Sequence, residues 1–166
     1  KIENIVVCIL DRPRHKDLIN RVRSTGARIK LISDGDVSAV IATTIEDSGV
    51  DIYMGTGGSP EGVLAAAALR CIGGKMYTKL AFEDQEQIER AKSMGIKDPK
   101  KIYETEDLAS GDVMFSATGV TNGTLLRGVL IKNEIATTHS VVMRSKTKTV
   151  RYVSAYHNLS VKEIIL

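Results

Sequence analysis

Tryptophan is absent from this chain of 166 residues; phenylalanine and cysteine each occur twice and proline three times. Two cysteines cannot build a disulfide framework, and their spacing matches no metal site. Cys8 and Cys71 lie inside apolar runs and read as buried core thiols of a protein from a reducing compartment. No apolar run approaches the ~20 residues of a membrane span, and no signal peptide is recognisable. The cytoplasm is therefore the expected location, with no membrane partner. Internal repeats and low-complexity segments are lacking as well. So is a large excess of one charge: 23 Lys and Arg face 20 Asp and Glu, for a net +3. The one basic-only cluster has positive side chains at Arg144, Lys146, Lys148 and Arg151. On a strand the first three share a face. A lysine-decorated sheet edge that resists aggregation explains them better than nucleic-acid binding, so no nucleic-acid partner is expected.

What is present is ordinary for a globular chain: 43% hydrophobic and 26% charged residues, enough for one domain with a real core. Residues 4–10 form a β-branched apolar run and read as a strand. A helical stripe at Leu18, Ile19 and Val22 follows, ending at Gly26, with Asp11 as a candidate cap. Residues 27–32 read as a second strand with a helix through Ile45, and residues 50–54 as a third with a helix over 60–72. Three successive βα units imply a parallel sheet covered by helices, with site residues collecting at the carboxyl ends of its strands. Beyond Gly74 the pattern changes. Residues 75–81 are ambiguous, 83–94 form an amphipathic helix, and 96–109 a loop with a short helix. A strand over 112–117 precedes three segments, 126–131, 135–144 and 147–156, that read as an antiparallel meander. The expected class is α/β: a mixed sheet, parallel first and antiparallel later, covered by helices. The domain would span 1–157, with 158–166 as a tail. The chain opens on Lys1 without methionine and reads as the interior of a longer polypeptide.

The densest chemical signal follows the third strand, in Gly55-Thr56-Gly57-Gly58-Ser59-Pro60-Glu61-Gly62. Its glycines permit positive φ and close approach to a ligand. Pro60 suits a first helical turn with Ser59 as cap, and the free N–H groups there favour an anion. Glu61 would oppose a bound phosphate unless a cation lay between, so the run points to a metal and a phosphorylated ligand together. The spacing fits neither the dinucleotide nor the Walker glycine signature. One unit upstream, Asp34 and Asp36 flank Gly35; two close carboxylates suit a cation or a polyol. After the first strand, Asp11-Arg12-Pro13-Arg14-His15 offers two guanidinium groups on a stiffened turn, the pattern for a phosphate. His15 itself reads as a helix-surface residue rather than a general base, and His139 and His157 as structural. Residues 118–123 form one more candidate ligand-facing loop.

These motifs, in this order and spacing, together with Phe115-Ser116-Ala117-Thr118-Gly119, resemble the GlpX-type (class II) fructose-1,6-bisphosphatases over nearly the whole chain. The chain looks like the carboxyl-terminal half of such an enzyme. The resemblance implies half of a lithium-sensitive sugar-phosphatase fold, acting with Mn²⁺ or Mg²⁺ on the 1-phosphate of fructose 1,6-bisphosphate in gluconeogenesis. It implies that Arg12 and Arg14 bind the 6-phosphate, that Asp34 and Asp36 contact the sugar, that Gly58 and its neighbours shape the pocket, and that Glu61 is a catalytic metal-site carboxylate. Arg12 stands where the family often has lysine. The remaining acidic ligands would come from an amino-terminal half, and the assembled enzyme would be a homo-oligomer. Sedoheptulose 1,7-bisphosphate is the alternative substrate. A non-catalytic sugar-phosphate module, or an interaction domain binding no small molecule, are the alternatives from other classes.

Overall fold

The structure is a computed structural model that describes residues 1–161. Its centre is β1 (Val6–Leu10), which pairs in parallel with β2 (Arg28–Ile32) on one side and β3 (Ile52–Tyr53) on the other. A strand buried on both faces reads as an unbroken apolar run, which is why β1 does. Alternation sorts its side chains. Val7 and Ile9 pack with Ile19 and Val22 of α1 (Lys16–Ser24), while Cys8 packs with Ala39 of α2 (Asp36–Ala42) and with Val50. The order β2-β1-β3 reverses direction between the first and second crossovers. Crossovers of one hand then put α1 and α2 on opposite faces and leave a crevice at the carboxyl end of β1.

The alanine-rich α3 (Ser59–Ile72) is the pivot between two layers. Ala65 and Leu69 pack on Val40 of α2, and Ala68 and Cys71 pack on Phe115, Val141 and Met143 of a second sheet. Small side chains let this helix lie close to both. In that sheet β8 (Ile135–Arg144) is central. β9 (Thr149–Asn158) pairs along its full length, while β6 (Met114–Thr118) and β7 (Leu130–Lys132) take successive stretches of its other edge. The parallel units and the antiparallel meander are thus both present, as separate sheets with α2 and α3 between them. A two-stranded ribbon, β4 (Tyr77–Lys79) with β5 (Ile102–Glu104), carries α4 (Gln85–Ser93) and α5 (Thr105–Leu108). Among the described residues no helix is long and apolar enough to cross a membrane.

Several local expectations need correction. β7 starts at Leu130 rather than Leu126, because Leu126 turns into the core at 7% exposure. The basic cluster is no strand face: Lys146 and Lys148 sit in the turn between β8 and β9. There Lys146 pairs with Asp112 at 3.6 Å, and Lys148 donates to the Arg70 carbonyl at 2.6 Å. Gly58 rather than Ser59 is the N-cap of α3, and Asp11 caps no helix. α2 ends at Ala42, not Ile45. Of the expected tail, Asn158 closes β9 and residues 162–166 lie outside the described residues.

Candidate functional site

Loops at the carboxyl ends of the three parallel strands meet at the crevice, joined by side chains that bond to backbone. After β1, Pro13 fixes a single 3-10 turn, Pro13–His15. From it Arg12 Nη2 donates to the Ser33 carbonyl at 2.6 Å and Nη1 to the Asp11 carbonyl at 3.0 Å, which ties the first loop to the second. Arg14 Nε donates to the Thr56 carbonyl at 2.8 Å, which ties it to the glycine loop. A guanidinium has five N–H donors. Arg12 has committed two and Arg14 one, and both side chains are exposed, so Arg14 keeps its whole terminal fork for a ligand.

His15 departs most from expectation. It is not on the surface but 1% exposed. Its Nδ1 lies 2.8 Å from the Leu10 carbonyl, and its Nε2 accepts from the Thr56 N–H at 2.8 Å. With both ring nitrogens committed, it has none left for proton transfer, in keeping with its exclusion as a base. His139 stacks on Tyr152, and its Nδ1 accepts from the Arg127 N–H at 3.1 Å; His157 Nε2 lies 3.1 Å from Thr138 Oγ1. Both sit on the antiparallel strands or their contacts. Burial pushes the thiols of Cys8 and Cys71 up, so neither is a nucleophile candidate.

On the acidic side, Gly35 has φ 79°, a left-handed turn that only glycine takes without strain, and it caps α2. Asp36 then opens the helix, with Oδ1 accepting from the Val37 N–H at 3.0 Å. A Cβ placed on Gly57 would lie 3.5 Å from Asp36 Oδ2, so this acid reaches the glycine loop. Asp34 stays exposed in the turn and faces an adjoining groove of about 760 Å³, whose far wall is residues 122–125. That wall belongs to the loop expected to face a ligand. Gly119 serves packing, since a Cβ there would collide with the Arg127 backbone, whereas one on Gly123 would come no nearer than 3.8 Å to the Leu126 carbonyl; Asn122 Oδ1 accepts from the Gly128 N–H at 2.9 Å.

Glu61 stands in the first turn of α3, exposed. Its carboxylate folds back over Gly58, where any Cβ would collide with it. It makes no hydrogen bond or ion pair with another described residue, so its oxygens are available as ligands. One carboxylate cannot by itself complete a metal's coordination sphere. Among the described residues no group of three His, Cys, Asp or Glu could hold an ion, and a divalent cation takes about six oxygens. Tyr53, which the sequence did not single out, points its hydroxyl toward the glycine loop, 3.3 Å from a Cβ on Gly55. Burial first, and the charge of Asp36 second, push its phenol up to about 12, so it is neutral at ordinary pH.

The structure thus brings Arg14 and Asp36 to the glycine loop, where Glu61 folds over Gly58, while Arg12 ties the first loop to the second and Asp34 faces the groove beside them. This chain is similar to known proteins along most of its length. The curated D-fructose 1,6-bisphosphatase class 2/sedoheptulose 1,7-bisphosphatases of Trichodesmium erythraeum, Crocosphaera subtropica and Synechocystis sp. are each 43% identical to it over 169 residues. Each alignment covers 94% of this chain and 49% of the relative, so the chain spans about half the length of the curated relatives it matches, their carboxyl-terminal half. The family model described as "Bacterial fructose-1,6-bisphosphatase, glpX-encoded" matches residues 1–157 and so takes in all three strand-end loops and both sheets. On that extent of agreement, the chain belongs to the glpX-encoded bacterial fructose-1,6-bisphosphatase family.

Proposed function

We propose that this chain supplies the distal-phosphate and sugar half of the active site of a sugar-bisphosphate phosphohydrolase, with fructose 1,6-bisphosphate as substrate and fructose 6-phosphate and phosphate as products. Residues 1–157 belong to its carboxyl-terminal α/β domain. The enzyme is cytoplasmic, gluconeogenic and homo-oligomeric, and is complete only with its amino-terminal half. One observation carries the reading: Arg14, through a backbone-anchored Nε, presents its free terminal fork beside the loop that bears Glu61. A cation for the uncleaved phosphate is thus tied at Thr56 to the loop over which the Glu61 carboxylate folds, a carboxylate with no hydrogen bond or ion pair among the described residues.

Arg14 and Arg12 hold the distal phosphate, and Asp34 and Asp36 orient the sugar hydroxyls. Gly58 leaves the space that Glu61 occupies. A divalent cation, Mn²⁺ or Mg²⁺, would supply charge neutralisation at the reacting phosphoryl group. From this chain Glu61 would be a ligand, and the other ligands would come from the amino-terminal half. The relatives' names join fructose 1,6- and sedoheptulose 1,7-bisphosphatase activity, which favours the heptulose bisphosphate as a second substrate of the same pocket.

The test is phosphate release from both bisphosphates, with Mn²⁺ or Mg²⁺ added, by the enzyme carrying both halves and by this chain alone. Turnover by the first and none by the second is expected. Absence of turnover by the two-half enzyme on either sugar would sink the reading, and turnover by the chain alone would overturn the shared metal site.

A further inference from the structure

Thr56 is held at both ends of its backbone by one short turn of the first loop. Its N–H donates to His15 Nε2 at 2.8 Å, and its carbonyl accepts from Arg14 Nε at 2.8 Å. The N–H can only donate and makes the shorter contact, 2.8 Å against 3.1 Å from Nε2 to the Thr56 carbonyl, so Nε2 is the bare ring nitrogen and Nδ1 carries the proton that the Leu10 carbonyl accepts at 2.8 Å. The ring is 1% exposed. A Cβ on Gly55 would sit 3.3 Å from His15 Cε1 and 3.3 Å from the Tyr53 hydroxyl, so the glycine loop lies directly against the imidazole. A buried aromatic ring is often only packing. This one instead spans from the last residue of β1 to the backbone of a loop five residues ahead of Glu61.

We propose that His15 is a positioning residue: its neutral, Nδ1-protonated imidazole registers the glycine loop, and with it Glu61, against the arginine turn that binds the distal phosphate. The proposal rests on the reading that these loops form a sugar-bisphosphatase site. His15 touches no reacting atom and acts through Thr56. The exposed glycine loop and the exposed arginines of the first turn have little apolar contact to fix their separation, and the imidazole supplies a rigid spacer with one donor and one acceptor. A shift of about 1 Å between groups that must meet on one substrate costs on the order of a hundredfold in rate. His15 therefore governs kcat more than KM.

The experiment uses the enzyme carrying both halves, as wild type, His15→Phe and His15→Gln. Amide hydrogen exchange of residues 55–58 is measured alongside kcat, KM and Tm. Phenylalanine fills the space and removes both hydrogen bonds. It is expected to speed exchange at 55–58 and to lower kcat by about tenfold or more, with KM changed less than threefold. Glutamine, which again offers one donor and one acceptor, is expected to restore most of kcat and of the protection. If His15→Phe does not fold, Gly55→Ala presses a methyl group on the same ring and is expected to give the same pair of changes. Unchanged exchange and kcat in the variant that folds would overturn the proposal, as would a glutamine variant no better than phenylalanine. A wild-type enzyme without turnover fails the functional reading instead, and the exchange arm still tests the latch.

Discussion

The antiparallel sheet and the strand-end loops of the parallel sheet are held by different physics. In the antiparallel sheet, Val141 and Met143 are almost wholly buried against Ala68 and Cys71 of α3, and the energy is apolar packing. At the strand ends of the parallel sheet His15 is buried, but the glycine loop against it is not. Residues 55–61 are all exposed, and the order there comes from Arg12, Arg14 and His15 bonding to carbonyl and N–H groups of neighbouring loops. The difference separates stability from function. Substitution in the first region should unfold the chain and leave the chemistry of each folded molecule alone, and substitution in the second should do the reverse.

The largest effect expected is at Glu61. In the enzyme carrying both halves, Glu61→Gln should cut kcat by roughly a hundredfold or more, the scale of several kcal/mol of lost metal-assisted stabilisation. Its Tm should hardly move, because a first-turn carboxylate contributes only ~0.3–1 kcal/mol to its helix. Steady-state kinetics beside thermal unfolding reads both, and normal turnover would remove Glu61 from the site. Met143→Ala is the opposite case. It should cost ~2–5 kcal/mol of stability, seen in denaturant unfolding, with kcat per folded molecule unchanged. A kinetic defect at full stability would break the division between the sheets.

Gly58→Ala sharpens the comparison at one atom. The new methyl would first meet the Glu61 carboxylate, the far end of a flexible side chain. That carboxylate should swing away, so kcat should fall about tenfold while stability changes by less than ~1 kcal/mol. A large stability loss would mean that the loop is packed rather than open. The smallest effect is at Tyr53, whose folded pKa of about 12 lies above its ordinary value of 10.0. A raised pKa means stability that is fully present below the ordinary value and is lost as pH rises through the folded one. Unfolding followed between pH 10 and 12 should show that decline in the wild type and less of it in Tyr53→Phe. Equal slopes would place the phenol in water.

What the sequence made legible follows the same line. Periodicity and glycine stops give the βα order, because β1, α1 and α3 are specified by their own apolar side chains. The motifs fall on neighbouring loops, with Arg14, Asp36 and Glu61 against the glycine loop, because strand ends of a parallel sheet share an edge. His15 was misread because nothing local marks a histidine as buried; its partners are 5 and 41 residues away and are backbone atoms with no sequence signal. The β4-β5 pairing was missed for a related reason: its two three-residue strands are too short for alternation to register. In residues 118–128, glycines needed for close backbone approach look the same in sequence as glycines needed for a ligand.

The central claim is that the strand-end loops of the parallel sheet grip the phosphate that is not cleaved. Fructose 6-phosphate carries that phosphate alone, so its affinity for the enzyme carrying both halves, measured by calorimetry, isolates the grip from the chemistry. A charge-assisted contact is worth ~1.5–3 kcal/mol. Arg14→Ala should therefore weaken binding roughly tenfold to over a hundredfold, with Arg12→Ala weaker in effect because more of its donors are already bonded to backbone. Unchanged fructose 6-phosphate affinity in both variants, with lowered Tm instead, would show the arginines to be loop clamps only and would contradict the account.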